Sequence, residues 1–248
     1  MTLSIAIMQP YFIPYIGYFQ LINLVDKFII YPKVNYRSRS WFSRNSLQLD
    51  NSRTFLSPCL TNQSNELWIE NICVSSEMQW RKYLLRRIQF SYARASYARA
   101  ILPMLETIIY NTSLTLDQFN FNAIGLICDY LGIKTPVELG NSSEFNSLEI
   151  DIRAEKDKSI RCSKRVASLC ECYSASVFIN PISGRELYSK DYLTTHNIGL
   201  KLFSVDDQAM QSIFKSPKDH TFSILHLMMH YNKSIIRDAL LSCHANYL

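Results

Sequence analysis

Two short apolar runs constrain this chain more than anything else in it. Leu3–Met8 and Phe28–Tyr31 are each too short for a buried helix and carry no alternating polar face. Such runs suit strands covered on both sides of a sheet. The first stops at Gln9-Pro10, because a proline cannot continue a central ladder, and the second is closed by Pro32. Between them a helix is expected from near Pro14, a residue favoured in the first helical turn, to about Val25. Strand, helix and strand within about thirty residues make a βαβ unit, so the two strands are expected to be parallel.

The pattern repeats downstream. Thr54–Leu60 reads as an edge strand, with Pro58 keeping it from a central place. One helix is expected over Met78–Ile101, interrupted by Pro103, then another to about Tyr110. It contains an exact tandem SYARA repeat, Ser91–Ala95 and Ser96–Ala100, far too short for a solenoid. A helix over Leu116–Leu131 has Gly132 as its stop. Short strands follow at Pro136–Leu139, Ser176–Ile179 and Leu200–Phe203, with helices over Lys156–Tyr173, within Gly184–His196, and from Phe222 past a break to Leu241. Alternation of this kind predicts an α/β fold: a Rossmann-like open, mainly parallel sheet with helices on both faces. The expected organisation is one domain over residues 1–248, with a helical segment at about 78–132 inserted between the two parts of the sheet.

Composition excludes several functions. There are only 6 glycines in 248 residues, where about 17 are usual. Neither a P-loop nor a G-x-G-x-x-G turn is present, so any phosphate is held without a glycine-rich cradle. A net charge of +5 permits an anionic small molecule but does not call for nucleic acid. The densest basic stretch, Arg81 to Arg99, reads as a solvated helix face. Seven cysteines, no basic and apolar leader, and no apolar run of membrane-spanning length predict a reducing, cytoplasmic location. No metal site is expected: Cys170-x-Cys172 lacks a second pair, and His226 and His230, at i and i+4, lack the glutamate of a zincin motif.

In an open parallel sheet, ligands bind beyond the carboxyl ends of the strands. Every candidate strand here ends in a polar or aromatic cluster. The first supplies Gln9, Tyr11, Tyr15, Gly17 and Tyr18, the second Asn35, Tyr36, Arg37, Trp41, Arg44 and Asn45. The third supplies Asn141, Ser142, Ser143 and Glu144, the fourth Asn180, Ser183, Gly184, Glu186 and Tyr188. Arginine forks suit phosphate or carboxylate, and aromatic rings suit a sugar or base face. Asparagine, serine and glycine are also ordinary turn residues, so the third and fourth clusters have a plain structural reading beside the binding one.

The segment Met8–Ile22 with Asp26–Tyr31 resembles the opening of the WbqC-like family. The similarity continues at Trp41, Arg44 and Asn45, at Asn141–Glu144, and along Phe178–Tyr188. The resemblance implies a protein of bacterial surface-polysaccharide or O-antigen synthesis, an acyl or aminoacyl (glycine) transferase acting on the amine of a nucleotide-linked amino sugar. Such a reaction needs a donor: acyl-CoA, aminoacyl-tRNA, or an amino acid with ATP. The partner would be the nucleotide sugar, with tRNA the one nucleic acid admitted as a donor and a homo-oligomer left open. Glu144 and Glu186 are the candidate bases, and Asn35, Arg37 and Arg44 the candidates for the diphosphate. The chain departs from the commoner family pattern at Pro32-Lys33 and at His226, where acids are frequent. The stretch Pro14-x-x-Gly17-Tyr18 is also similar to the H-x-G-H region of nucleotidyltransferases, but Tyr15 and Tyr18 stand where histidines contact phosphate. Two other classes therefore stay open: an adenylate-forming enzyme, and a non-catalytic nucleotide-sugar-binding partner of a glycosyltransferase.

Overall fold

The computed structural model describes residues 2–49, 52–140, 143–216 and 218–247. Its centre is a six-stranded sheet built from β1 (Ser4–Met8), β2 (Lys27–Ile30), β5 (Val137–Leu139), β6 (Val177–Pro181), β7 (Gly199–Val205) and β8 (Cys243–Tyr247). The strand order is β5-β2-β1-β6-β7-β8, all parallel except the antiparallel edge strand β8. The parallel α/β architecture expected from the apolar runs is therefore present. β1 and β2 are joined through α1 (Ile16–Leu24), as the βαβ reading requires.

The strands alternate between two cores. Ile5, Phe178 and Leu200 face one cluster, packed with Val166, Ala167 and Cys170 of α6 (Lys158–Cys172) and Leu193 of α7 (Lys190–Thr195). Ala6, Phe28, Ile30 and Ile179 face the larger cluster. That side is covered by α1, by α4 (Leu116–Leu131), and by α9 (Ile224–His230) and α10 (Lys233–Leu240). Helices thus lie on both faces, and a period of two in each strand feeds both.

Several local expectations need correction. The strand expected over Thr54–Leu60 is β4 (Ser52–Leu56), which pairs with β3 (Asn45–Leu49) in a separate two-stranded unit, off the main sheet. The helix expected over Met78–Ile101 is two helices, α2 (Met78–Ser91) and α3 (Ala98–Ile109). The chain breaks between them because the tertiary structure holds Tyr92 and Tyr97. The Tyr92 hydroxyl meets His226 Nδ1 at 2.9 Å, and the Tyr97 amide donates to the Met229 carbonyl at 3.0 Å. The two copies of SYARA therefore differ in structure: the first leaves α2 and the second enters α3. Pro103 does not interrupt; it lies inside α3 on its exposed side, where water can serve the carbonyl that its missing N–H leaves free. The basic stretch is solvated except at Arg81, which is buried and donates to the carbonyls of Ile109 and Asn111. The final helix is α9 and α10, separated at Asn232, whose side chain caps α10. The Gly132 stop is present, in the left-handed region at φ 78°.

The remaining helices are α5 (Ser143–Arg153) and α8 (Asp207–Ile213). No helix among the described residues is long and apolar enough to cross a membrane.

His226 belongs to a buried network, while its i+4 partner His230 is exposed. His226 Nε2 lies 3.4 Å from Asp219, and Tyr231 donates its hydroxyl to the same carboxylate at 2.5 Å. Burial, then the neighbouring His230, push the His226 pKa down to about 4, against the pull of Asp219. In the unfolded chain it returns to about 6.5. Between those values the unfolded state binds the extra proton, so this group's contribution to stability is full above pH 6.5 and is lost as the pH falls toward 4. The maximum slope is about 1.4 kcal/mol per pH unit. Urea denaturation at pH 7, 6 and 5 should show a steeper acid loss in the native protein than in His226→Asn. Parallel profiles would show that His226 is not buried in its neutral form.

Candidate functional site

The sheet reverses its direction of growth between β1 and β6. From β1 the chain winds outward through β2 to β5; it then returns to β6 and winds the other way to β7. A crevice opens at such a switch point beyond the carboxyl ends of the two central strands. Here two adjoining cavities occupy it, of about 1070 Å³ and 290 Å³. Gln9, Val34, Cys162 and Arg165 line both, so they form the junction.

The end of β1 is held in place by side chains remote in sequence. The turn Gln9–Tyr15 contains Ile13 at φ 39°, a left-handed conformation that a β-branched residue rarely adopts. Such a conformation persists only where its surroundings over-determine it. Asn45 Nδ2 donates to the carbonyls of Phe12 (3.1 Å) and Ile13 (2.8 Å). Asn120 Nδ2 donates to the carbonyls of Pro10 and Phe42, both at 2.8 Å. Ser223 donates to the Ile13 carbonyl at 2.6 Å, and the Tyr18 hydroxyl to the Gln9 carbonyl at 2.8 Å. The result is a rigid turn that presents Gln9 and Tyr11 to the crevice.

The larger cavity is strongly basic. Its wall carries Lys33, Arg37, Arg153, Lys158, Arg161 and Arg165. Among the described residues no aspartate or glutamate lines either cavity. The acids that balance part of this charge sit behind the wall. Glu149 of α5 is fully buried; both its oxygens are taken by Arg165, one of them by Nη2 at 2.8 Å. It also accepts the Tyr31 hydroxyl at 2.8 Å and has Arg153 Nε at 3.7 Å. Burial opposes the charge on Arg165, but the Glu149 carboxylate outweighs it and lifts the guanidinium pKa above its usual range. Burial first, and Glu149 second, push the Tyr31 phenol up. Lys33, also buried, donates to both Glu70 oxygens at 3.0 Å and to Asn146 Oδ1 at 2.6 Å.

The smaller cavity differs in character. Arg165 is its one charged lining residue among those described; the polar remainder includes Gln9, Tyr11, Asn180, Ser183 and Tyr188. Asn180 Nδ2 donates to the Pro181 carbonyl at 2.9 Å, and the Tyr188 hydroxyl points to Asn180 Oδ1 at 3.4 Å. Gly184 lies directly on Asn180: a Cβ there would come within 2.3 Å of Asn180 Nδ2. Burial pushes the Tyr188 and Tyr11 phenols up, so both are neutral hydrogen-bonding groups.

Of the residues singled out in the sequence, the fold brings Gln9, Tyr11, Asn35, Tyr36, Arg37, Asn180, Ser183, Gly184 and Tyr188 to these cavities. Tyr15, Gly17, Tyr18, Trp41, Arg44, Asn45 and Glu186 line neither. The Tyr15 ring covers Gly17, whose Cβ would meet it at 2.5 Å. Trp41 and Arg44 pack on Phe55 of β4. Glu186 is exposed on the 3-10 turn Ile182–Leu187. Asn141 and Ser142 lie outside the described residues; Ser143 and Glu144 open α5, with their side chains outside that description.

Sequence reasoning missed Lys158, Arg161, Cys162 and Arg165. Their signal was present: they stand at i, i+3, i+4 and i+7 and share one face of α6. α5 was missed altogether, and with it Glu149 and Arg153.

The fold and site define an open α/β-sheet protein with a basic crevice at its switch point. The chain belongs to the WbqC-like protein family, which matches residues 9–238. A protein of Mycobacterium tuberculosis described as "Uncharacterized protein Rv1507c" is 27% identical over 205 residues, covering 82% of this chain and 83% of that protein. No solved structure matches the chain.

Proposed function

We propose that this protein acts in the cytoplasm in surface-polysaccharide biosynthesis, transferring an acyl or aminoacyl group, glycine foremost, to the amine of a nucleotide-linked amino sugar. One observation carries the reading. The crevice at the switch point is walled by six cations with no described carboxylate, which suits a diphosphate-bearing ligand held without a glycine cradle. In the reaction the sugar amine attacks the donor carbonyl. A C–N bond forms, the C–S or C–O bond to the donor's leaving group breaks, and the amine proton passes to a base. Glu144, in the first turn of α5, is the candidate base; Glu186 lines neither cavity. The donor is an acyl-CoA, an aminoacyl-tRNA, or an amino acid with ATP.

The lack of a described carboxylate in the wall also favours a second reading, a nucleotide-sugar-binding partner without turnover. Mass spectrometry of the polysaccharide from a deletion strain decides between them. Transfer predicts loss of one amide substituent, restored by the native gene but not by Glu144→Gln. An unchanged glycan would reject transfer, and full restoration by Glu144→Gln would remove that residue from the chemistry.

A further inference from the structure

The charge in the crevice is unevenly placed, and the unevenness sets a direction. Three of the six cations already have fixed partners. Arg165 is bound to Glu149, Lys33 to Glu70 and Asn146, and Arg153 donates to Asn35 Oδ1 at 3.0 Å with Glu149 beside it. The others are not neutralised in this way. The side chains of Arg37 and Lys158 make no hydrogen bond or ion pair with any described residue, and both residues are exposed and line the cavity. Arg161 donates to the Glu155 backbone carbonyl at 3.0 Å and has the Asp157 carboxylate one turn before it as a neighbouring charge, without a direct ion pair. The amide end of α6 offers no alternative anion site, because the Asp157 carboxylate caps it through the Ile160 amide at 2.9 Å. Phosphate recognition here falls to side chains.

On the other side of the junction the one charged lining residue among those described is Arg165, already bound to Glu149. The smaller cavity presents amide, hydroxyl and phenol groups, the set that recognises sugar hydroxyls.

Resting on the reading of the ligand as a sugar nucleotide, we infer that it lies across both cavities in one direction. Its diphosphate sits against Arg37, Lys158 and Arg161, and its sugar enters the smaller chamber at Asn180 and Tyr188. Cys162, which lines both cavities, marks the boundary between the two halves.

The test uses inorganic pyrophosphate as the probe for the charged half. Calorimetric titration should show binding that weakens with added salt. Arg37→Ala and Lys158→Ala should each lower affinity by about tenfold, the loss of one charge-assisted contact. Tyr188→Phe, in the other chamber, should leave pyrophosphate affinity unchanged. A second measurement locates the ion. Pyrophosphate should slow iodoacetamide alkylation of Cys162, followed by mass spectrometry, while leaving exposed Cys59 unaffected. Unaltered affinity in both cation variants, or alkylation of Cys162 that ignores pyrophosphate, would overturn the assignment. Such a failure is separable from failure of the transferase reading. The glycan of the deletion strain tests transfer and does not depend on where pyrophosphate binds.

Discussion

Glu149→Gln is expected to lower folding stability by about 3 kcal/mol, the lower part of the range for breaking a buried ion pair by removing one partner. The reason is the position of the charge that remains. Glu149 is fully buried, while the side chain of Arg165 keeps 19% exposure. Without the carboxylate the Arg165 guanidinium is left largely desolvated, and the Tyr31 hydroxyl faces an amide in place of a charged acceptor. Urea denaturation measures the loss. The double variant Glu149→Gln, Arg165→Met should recover much of it, since it also removes the guanidinium left buried without a counter-charge. A second consequence is opposite in sign. Arg165 and Arg153 lose their shared counter-charge beside the crevice, so anions should bind more tightly to the less stable protein. Glu149→Gln within about 0.5 kcal/mol of the native protein, an ordinary surface effect, would mean that Glu149 is not the charge that organises this wall.

Asn45→Ala is the second large expectation. The side chain donates to two buried carbonyls, and its Oδ1 accepts the Ser46 amide at 2.7 Å. Alanine leaves all three groups without that partner. Each buried group left unpaired costs about 1–3 kcal/mol. Ile13 has Ser223 as a second donor, so a total of about 3 kcal/mol is expected. In a chain of this size that is a fall of roughly 6–12 °C in Tm. Asn45→Asp should be worse, because it points a carboxylate at two carbonyl oxygens. Both variants should also loosen the turn that carries Gln9 and Tyr11. An Asn45→Ala protein with native Tm and weakened ligand binding would return Asn45 to the list of ligand contacts.

These two residues show where sequence reasoning stops. Asn45 is conspicuous in the sequence because it sits in a run of amide, basic and aromatic residues after the second strand. Nothing local says that its amide is turned inward to brace a turn more than thirty positions earlier. Glu149 is the reverse case. Its helix has a short apolar stripe, Phe145, Leu148 and Ile152 at i, i+3 and i+7, but nothing in that pattern shows that the carboxylate beside it is buried. The same holds for β8, whose residues Cys243–Tyr247 carry no apolar run and join the sheet only by pairing with β7. The division of Met78–Ile109 into two helices was hidden for a related reason. Propensity favours continuation, and only the contacts of Tyr92 and Tyr97 with α9 impose the break.

By itself the sequence determined the parallel core. Continuous apolar strands, prolines at their ends and helices between them leave few other ways to bury that surface. It also determined that phosphate could not be held by a glycine loop, and that polar clusters would gather at the strand ends. The tertiary structure alone decided which cluster members face the crevice and which brace the backbone. It also alone decided which cations remain without a counter-charge. Both depend on side chains brought together from distant parts of the chain. Local pattern records that a residue is polar, whereas burial and partnering, which set its energy, exist only once the chain has folded.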